Sequence, residues 1–432
     1  MSATAEPGAN IAPVRGHASR WWMLAVFAIA ISGCYYEYDV IAPVAEFLRT
    51  QRGFSHSQIG MLNAVFSLPN IVLALVGGIL IDRHGPPRVA LWSAALCLIG
   101  AVLTAAGSPY SIMVVGRLIF GVAEEALFIA LLAGIAQWFI GGGTALAMAL
   151  FFSMARVGSY AADTSPTWAR GVYESGWQMP LWLGAGITAV SLLAAAVYWQ
   201  VDRRRSSSLA VAAAPVHKPF HWRDLQSFDR SFWYILWLNV LFASVFFPFR
   251  STFAIIYFQD TRGLSLAEAG NVNSFVFFAA IFATPVFGAI ADRFGHRALM
   301  LTIGTLLLPT SFLLLGATHM SVWVSTVLMG ISFSMVPAVI WPATAMLVDP
   351  KRLGTAFGLI NLLQNLGLTI CNLAAGAIND VARAGKPNPA GYDAMLWFFG
   401  LLGLLALSAV VQLWRRETGP DSHGLETIRQ GA

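Results

Sequence analysis

The sequence predicts an all-α integral membrane protein with twelve transmembrane helices, arranged as two pseudo-symmetric six-helix bundles. Three observations lead to this prediction: the apolar composition, the spacing of long apolar segments, and a loop sequence that occurs twice. Hydrophobic residues make up 57% of the 432-residue chain and charged residues only 11%. Because soluble proteins carry about 25% charged residues, this chain cannot cover a water-facing surface. The composition excludes a soluble enzyme and a disordered or fibrous protein.

Twelve apolar segments are long enough for transmembrane helices of about 20 residues each. The first six occupy 21–43, 57–81, 87–106, 109–133, 143–163 and 179–200. The other six occupy 231–257, 266–291, 298–318, 321–348, 353–380 and 392–414. The predicted domains are an N-terminal tail at 1–20, a first bundle at 21–200, a polar linker at 201–230, a second bundle at 231–414 and a C-terminal tail at 415–432.

The distribution of lysine and arginine predicts how the chain is oriented in the membrane. With both termini in the cytoplasm, 17 of the 26 Lys and Arg residues fall in cytoplasmic tails and loops. Those in outer loops are Arg49, Arg52, Arg170, Arg262, Arg383 and Lys386. This excess agrees with the positive-inside rule. We therefore interpret the net charge of +5 as a topology signal and expect no nucleic acid partner.

A short loop sequence recurs after 210 residues, at the same place in each predicted bundle. The first copy contains Gly78, Asp82, Arg83 and Gly85, and the second contains Gly288, Asp292, Arg293 and Gly295. The recurrence indicates two duplicated halves. The glycine allows close helix approach, the aspartate can accept hydrogen bonds from a helix N-terminus, and the arginine can pair across the interface. We predict that these loops form a conformational latch on the cytoplasmic side.

Charged residues inside the predicted helices are the main candidates for function, because a charge in the hydrocarbon core is costly. Glu125 on the fourth helix and Arg156 on the fifth are both near the predicted midplane. A carboxylate and a guanidinium facing one cavity can bind the ammonium and the carboxylate of a zwitterion. A structural ion pair is the alternative. Arg117 is more consistent with ordering its helix, and Glu124 with a water-mediated pair to Arg117 or with proton handling.

Further polar residues extend the candidate substrate site. Tyr38 and Asp39, at the end of the first helix, can line the mouth of a cavity, and an interfacial aromatic belt is an equally good interpretation. Arg250 in the seventh helix faces the cavity or extends outward to the interface. The second half contributes Asn273, Trp341, Gln364 and Asn365. For each of these, contact between helices is the alternative to substrate binding.

The sequence predicts neither an enzyme nor a cofactor or metal site. No Ser/His/Asp set and no cluster of metal-ligating residues lies at one depth of the predicted bundle. The three cysteines, Cys34, Cys97 and Cys371, are far apart in apolar segments, which is typical of buried small side chains.

The repeated sequence Gly-x-x-x-Asp-Arg-x-Gly resembles the loop signature of the major facilitator superfamily. Longer strings are similar to the lysosomal dipeptide uniporters of the family called major facilitator superfamily domain-containing protein 1. They include 36–39, 67–70, 116–127, 153–159, 245–249, 341–342, 353–358 and 364–368. The resemblance covers nearly all of the helical chain and implies the major facilitator fold and dipeptide uniport. It also implies that Glu125 and Arg156 match the family residues that bind the two ends of the dipeptide. Arg250 stands where the resemblance leads us to expect a small or apolar residue, which leaves acidic or anionic substrates open.

Together these patterns predict a transporter of dipeptides or similar small zwitterions that works by alternating access as a uniporter. Proton-coupled symport, or export of small organic anions or drugs, is the alternative. The N-terminal tail shows no acidic dileucine sorting signal, and the compact loops suit a bacterial inner membrane, with both termini cytoplasmic. We expect a monomer in a lipid bilayer with a small-molecule substrate and no accessory subunit.

Overall fold

The computed structural model describes residues 17–70, 80, 81, 83–107, 109–140, 142–206, 228–317, 321–349 and 352–427. These residues are almost entirely helical. Within them, strand-type pairing is limited to one isolated bridge between Gly385 and Asn388. The all-α prediction is confirmed.

The helices follow one another with short connections. The first half contains α1 His17–Asp39, α2 Ile41–Arg52, α3 His56–Ser67, α4 Pro86–Ala106, α5 Tyr110–Trp138, α6 Thr144–Trp168, α7 Arg170–Glu174 and α8 Gln178–Ser206. The second half contains α9 Arg230–Pro248, a π-helical segment Phe249–Phe253, α10 Ala254–Arg262, α11 Leu266–Phe294, α12 Arg297–Ala317, α13 Val322–Leu347, α14 Leu353–Val381, a 3₁₀ turn Pro389–Tyr392 and α15 Asp393–Glu417.

Ten helical segments in the described part of the chain are long and apolar enough to cross a membrane. Three of them are composite: α1 with α2, α9 with the π-helical segment and α10, and the 3₁₀ turn with α15. Helix α6 has 25 residues but is more polar, and α3 leads into 71–79, which lies outside the described residues. With these two, the arrangement matches the twelve-helix bundle that the sequence predicts.

Several helices are longer than the apolar pattern indicated, and three of these extensions matter below. The first segment continues beyond Pro43 to Arg52, the seventh continues to Arg262, and α6 continues beyond Asp163 to Trp168. These predicted ends were wrong for a physical reason. The added turns pack against other parts of the protein, so they need only one apolar side and can carry charges on the other.

The first transmembrane segment is interrupted at Val40, between α1 and α2. Arg117 of α5, which is fully buried, donates to the carbonyl oxygens of Glu37 and Tyr38 at 3.0 and 3.1 Å. The last carbonyl groups of a helix lack donors within the helix, and a guanidinium supplies several donors in a fixed geometry. Arg117 also donates to Asn63 Oδ1 at 2.6 Å, so it ties α1 and α3 together.

The two halves meet at one face of the bundle, which we call the closed face. Arg49 at the end of α2 forms an ion pair with Asp260 of α10, with 3.0 Å between Nη1 and Oδ2. Asp380 of α14 accepts hydrogen bonds from the backbone N–H groups of His56 and Ser57 at 2.8 Å each. The carboxylate therefore caps the N-terminus of α3, where the helix dipole favours negative charge.

The opposite end of the bundle, the terminal face, carries the beginnings of α1 and α9 and the end of α15. Arg20 donates to the carbonyl of Gly142 here, and Arg416 pairs with Asp229 at 2.8 Å. The hydrogen bonds and ion pairs that the structure gives between the two halves lie at the closed face or near the middle of the bundle.

Those predicted latch residues that the structure describes lie at the terminal face. Gly78 and Asp82 fall outside the described residues, and Arg83 is exposed. Asp292 pairs with Arg297 of its own half at 3.1 Å, and its side chain is 79% exposed. Gly85 and Gly295 have φ values of 80° and 69°, while Gly288 has open space around it. Arg293 packs over the Phe294 ring at 5.5 Å.

Glycines allow the halves to approach closely at the closed face. A Cβ atom on Gly60 of α3 would lie 2.4 Å from the carbonyl oxygen of Asn372 on α14. A Cβ atom on Gly270 of α11 would lie 2.2 Å from the carbonyl oxygen of Asp163 on α6. Both distances are shorter than atoms tolerate, so the present packing requires glycine at these positions.

We expect Gly60→Val to shift the protein away from the conformation in which this face is closed, because the new side chain collides with the backbone of α14. The measurement is the distance between spin labels at Thr50→Cys and Pro387→Cys, which lie on opposite sides of a surface crevice of about 310 Å³. Gly186→Val is the control, since nothing lies within 4 Å of a Cβ atom there. An unchanged distance distribution in Gly60→Val would contradict the role of this contact.

Candidate functional site

Three half-buried side chains of the first half lie near the middle of the bundle: Tyr35, Glu125 and Arg156. Glu125 is near the centre of the 29-residue helix α5, and Arg156 is near the centre of the 25-residue helix α6. The Arg156 guanidinium carbon lies 5.6 Å from the centre of the Tyr35 ring. Tyr35 is also close enough to Glu125 for an electrostatic interaction. Tyr35 therefore lies near both predicted residues, and no ion pair joins these two within the described contacts.

Both charged residues also contact the second half. Asn361 of α14 donates to Glu125 Oε1 at 3.4 Å. The Arg156 guanidinium carbon lies 5.1 Å from the Phe277 ring centre and 4.9 Å from that of Phe333. Contacts of this kind stabilise a cation by about 0.5–2 kcal/mol. Aromatic rings do not use up the N–H donors of a guanidinium, so these donors can still bind a carboxylate.

Glu124, next to Glu125, is more deeply buried, with 7% exposure. The sequence prediction related it to Arg117 through water. The hydrogen bonds that the structure gives for Arg117 go to α1, α3 and Asn63, and none of them goes to Glu124. Glu124 lies close enough to Tyr35 for an electrostatic interaction, so it borders the same site.

A second group of residues lies one layer closer to the closed face. We call Asp39, Asp163, Arg250 and Asn273 the buried charge cluster. Arg250 Nη1 lies 2.7 Å from Asp39 Oδ1, and Nη2 contacts Asp163 Oδ2. Asn273 donates to Asp163 Oδ2 at 3.0 Å and to the Arg250 carbonyl at 3.1 Å. The predicted residues Asp39, Arg250 and Asn273 thus contact one another rather than Glu125 or Arg156.

Asp163 was missed by the sequence analysis. The apolar pattern placed the end of the fifth helix at this residue, where a carboxylate costs little. In the structure α6 continues for five residues beyond it, and the Asp163 side chain is fully buried. The available signal was its spacing from Arg156. Residues seven apart share one side of a helix, so Asp163 and Arg156 face the same region about 10 Å apart along the axis.

The remaining predicted site residues make contacts mostly within one half. Tyr38 packs on Phe66, with 4.6 Å between ring centres. Trp341 is 39% exposed and lies 5.5 Å from the ring of Phe357. Gln364 accepts a hydrogen bond from Asn239 at 2.7 Å.

Asn365 acts on the site through its neighbour. Its side chain donates to the carbonyl oxygen of Asn361 at 3.0 Å and to Asn361 Oδ1 at 3.2 Å. With Oδ1 held as an acceptor, the Asn361 amide directs Nδ2 toward Glu125. Asn361 was not predicted from the sequence.

The described residues contain no group of three or more His, Cys, Asp or Glu side chains that could hold a metal ion. The three cysteines are buried and form no disulfide.

Two halves of apolar helices, packed at one face and enclosing a polar site between them, define a multi-pass membrane transporter. The chain belongs to the Major Facilitator Superfamily, whose sequence profile matches residues 26–270 and 249–431.

Several curated proteins are similar over most of the chain. The human lysosomal dipeptide transporter MFSD1 is 30% identical over 395 residues, covering 88% of this chain and 83% of that protein. The zebrafish (Danio rerio) MFSD1 is 29% identical over 394 residues, covering 88% and 84%. A probable sulfoacetate transporter, SauU, from Cupriavidus necator is 24% identical over 426 residues, covering 91% and 93%.

Solved structures share the fold at low sequence identity. A bacterial homologue of the human lysosomal transporter Spinster, in an inward-facing and unoccupied conformation, has a TM-score of 0.74 at 14% identity, covering 93% of this chain and 98% of that one. The nucleoside transporter NupG has a TM-score of 0.70 at 12% identity, covering 92% and 99%. The resemblance read from the sequence and the predicted fold are confirmed by these matches.

Proposed function

We propose that this protein transports dipeptides or similar small zwitterions by alternating access, as a uniporter. The observation that carries the proposal is the placement of Glu125 and Arg156. They present opposite charges from the first half into one site, and each contacts the second half. The name of the human and zebrafish relatives, lysosomal dipeptide transporter, agrees with this chemistry.

In this proposal Glu125 binds the substrate ammonium and Arg156 binds the carboxylate through two parallel hydrogen bonds. A bound zwitterion neutralises both side chains, which reduces the cost of enclosing them in a low-dielectric interior. Because Asn361 and Phe277 of the second half contact the same two groups, substrate binding and movement of the halves are linked through shared contacts.

The closed face lies opposite the chain termini. With the termini and the linker in the cytoplasm, as the positive charges favour, this conformation is inward-facing. The repeated loops at the terminal face then act as a latch in the opposite, outward-facing state. We propose a location in a cell membrane of bacterial inner-membrane type, and function as a monomer without an accessory subunit.

The orientation has a direct test. A cysteine introduced at Ser207 in the linker should resist a membrane-impermeant thiol reagent applied to intact cells, whereas Lys386→Cys at the exposed closed face should react. The two sites exchange reactivity if the orientation is reversed. The native cysteines do not interfere because all three are buried.

A second candidate function is proton-coupled symport, or export, of small organic anions. The observation in its favour is the 24% identity with the probable sulfoacetate transporter over nearly the whole chain. An anion needs Arg156 but has no ammonium to place against Glu125. In this case Glu124 or Glu125 carries the coupled proton.

Uptake into proteoliposomes separates the two functions. We expect a panel of dipeptides to equilibrate across the membrane with no proton gradient, and sulfoacetate to compete poorly. Accumulation above equilibrium that is driven by a proton gradient and abolished by a protonophore would contradict uniport. Uptake of sulfoacetate without uptake of dipeptides would favour the second candidate.

A further inference from the structure

The buried charge cluster contains more acidic than basic groups. Arg250 contacts the carboxylates of both Asp39 and Asp163, and all three side chains are at most 1% exposed. Within the described residues no other cation lies at ion-pair distance from either carboxylate. Two carboxylates that share one site and one guanidinium cannot both remain charged at low cost in a dry interior.

More distant groups do not restore the balance. The charged and titratable side chains that interact with Asp39 are Tyr38, Arg117, Arg156, Arg250 and Asp163. Those that interact with Asp163 are Arg250, Asp39 and Tyr173. Arg117 also interacts with Glu37, and the layer of Arg156 contains two further carboxylates, Glu124 and Glu125, which interact with Tyr35 as Arg156 does. Carboxylates therefore outnumber guanidinium groups in the described interior, both in the buried charge cluster and in the layer of Glu125 and Arg156.

Asp163 is the member of the pair with less compensation. Asp39 interacts at longer range with Arg117 and Arg156, whereas Arg250 is the cation that faces Asp163. Asp163 Oδ2 receives hydrogen bonds from Arg250 and Asn273, while its buried Oδ1 accepts none from the described residues. Asp39 Oδ1 also accepts no hydrogen bond, but it lies at ion-pair distance from Arg250, a contact that Asp163 Oδ1 lacks. The unpartnered oxygen of a fully buried carboxylate is the position where a proton lowers the energy of the cluster.

We propose that Asp163 binds one proton when the closed face forms, so that the buried charge cluster is a proton-sensitive gate between the halves. The inference rests on the alternating access proposed above. In the open state the seam between α6 and the second half separates, and Asp163 is hydrated and ionised. As the halves meet, Arg250 and Asn273 enclose it and a proton is taken up.

The proton exchanges with the closed-face side alone. The Phe277 ring, 1% exposed, lies with its centre 3.8 Å from the Arg250 guanidinium carbon and 5.1 Å from that of Arg156. The ring thus packs against an arginine of each layer, and in this proposal it limits proton passage from the cluster to the substrate site. A proton that enters and leaves on the same side changes the rate of transport but is not itself transported.

The test measures closure of the full-length protein in nanodiscs as a function of pH, using spin labels at Thr50→Cys and Pro387→Cys. Because closing binds one extra proton, the ratio of closed to open protein should rise about tenfold for each unit by which the pH falls, across the interval where Asp163 titrates. Asp163→Asn should remove this tenfold rise of the ratio per pH unit. Glu174→Gln, at an exposed surface pair on the same side of the membrane, should keep the wild-type slope.

A pH-independent ratio in the wild type, or a wild-type slope in Asp163→Asn, would overturn the proposal. If Asp163→Asn does not fold, infrared difference spectra of the wild type between the open and closed states decide the question. A carbonyl band from a protonated carboxyl group is expected in the closed state, and its absence rejects the gate.

Proton movement across the proteoliposome membrane in step with substrate would reject proton exchange on one side only. Failure of dipeptide transport with an intact pH dependence of closure would reject the proposed substrate and leave the gate standing.

Discussion

Arg156→Lys is expected to lose most dipeptide transport while the protein remains folded. Lysine keeps the positive charge but replaces a planar fork of N–H donors by a compact ammonium group. Two features of the site depend on the planar group: the contacts of its face with Phe277 and Phe333, and the paired hydrogen bonds to the substrate carboxylate. A hydrogen bond to a charged group contributes about 1.5–3 kcal/mol, so losing one should reduce uptake efficiency by about 10- to 150-fold.

The measurement is the initial rate of uptake into proteoliposomes over a range of dipeptide concentrations, together with thermal unfolding of each variant. Arg170→Lys is the matched control, because Arg170 pairs with Glu174 at the exposed surface at 2.8 Å. Such pairs contribute little to stability, so its transport should equal that of the wild type. Wild-type uptake by Arg156→Lys would show that the guanidinium geometry is irrelevant and that the carboxylate binds elsewhere.

The sequence was sufficient to predict the helical membrane fold and to mark Glu125 and Arg156 as candidate site residues, because both inferences follow from local costs. An apolar segment of about 20 residues is stable across a bilayer whatever its partners are. A single charge in such a segment is unfavourable enough to mark a function by itself. Glu125 and Arg156 are conspicuous for this reason.

The buried charge cluster could not be predicted in the same way. Asp163 and Arg250 are 87 residues apart and lie on opposite halves. Their contact depends on how the halves pack, which no local pattern encodes. Asp163 was further obscured because it stands at the predicted end of its helix, and Asp260 because it lies in a helix extension. The sequence therefore identified Arg250 as an anomaly without identifying its partners.

The structure arranges these residues in three layers along the seam. Arg49, Asp260 and Asp380 join the halves at the surface of the closed face. The buried charge cluster lies beneath them, and the layer of Glu125 and Arg156 lies beneath Phe277. Opening the closed face must separate the first two layers, whereas substrate binding acts on the third. Phe277, which contacts both arginines, is the side chain through which the third layer meets the second.

Glu125→Gln is expected to weaken binding of free dipeptides by at least about 30-fold and to leave binding of N-acetylated dipeptides nearly unchanged. Glutamine keeps the shape of the side chain and can still accept a hydrogen bond from Asn361, but it lacks the charge that attracts an ammonium. Removing one partner of a buried charge contact typically costs about 2–5 kcal/mol, which gives the lower bound of the expected loss. An N-acetylated peptide has no ammonium, so it loses nothing by the change.

The decisive comparison is calorimetric or thermal-shift binding of matched free and N-acetylated peptides to the wild type and to two variants. Glu124→Gln is the control, because it makes the same replacement of a carboxylate by an amide at the adjacent residue. It should leave the preference for free over acetylated peptide as in the wild type, since Glu124 is more buried and the Asn361 amide donates to Glu125 instead. If Glu125→Gln binds free dipeptide as tightly as the wild type, Glu125 does not hold the ammonium and instead has a structural or proton-handling role. If Glu124→Gln alone removes the preference, the ammonium site lies one residue earlier on α5.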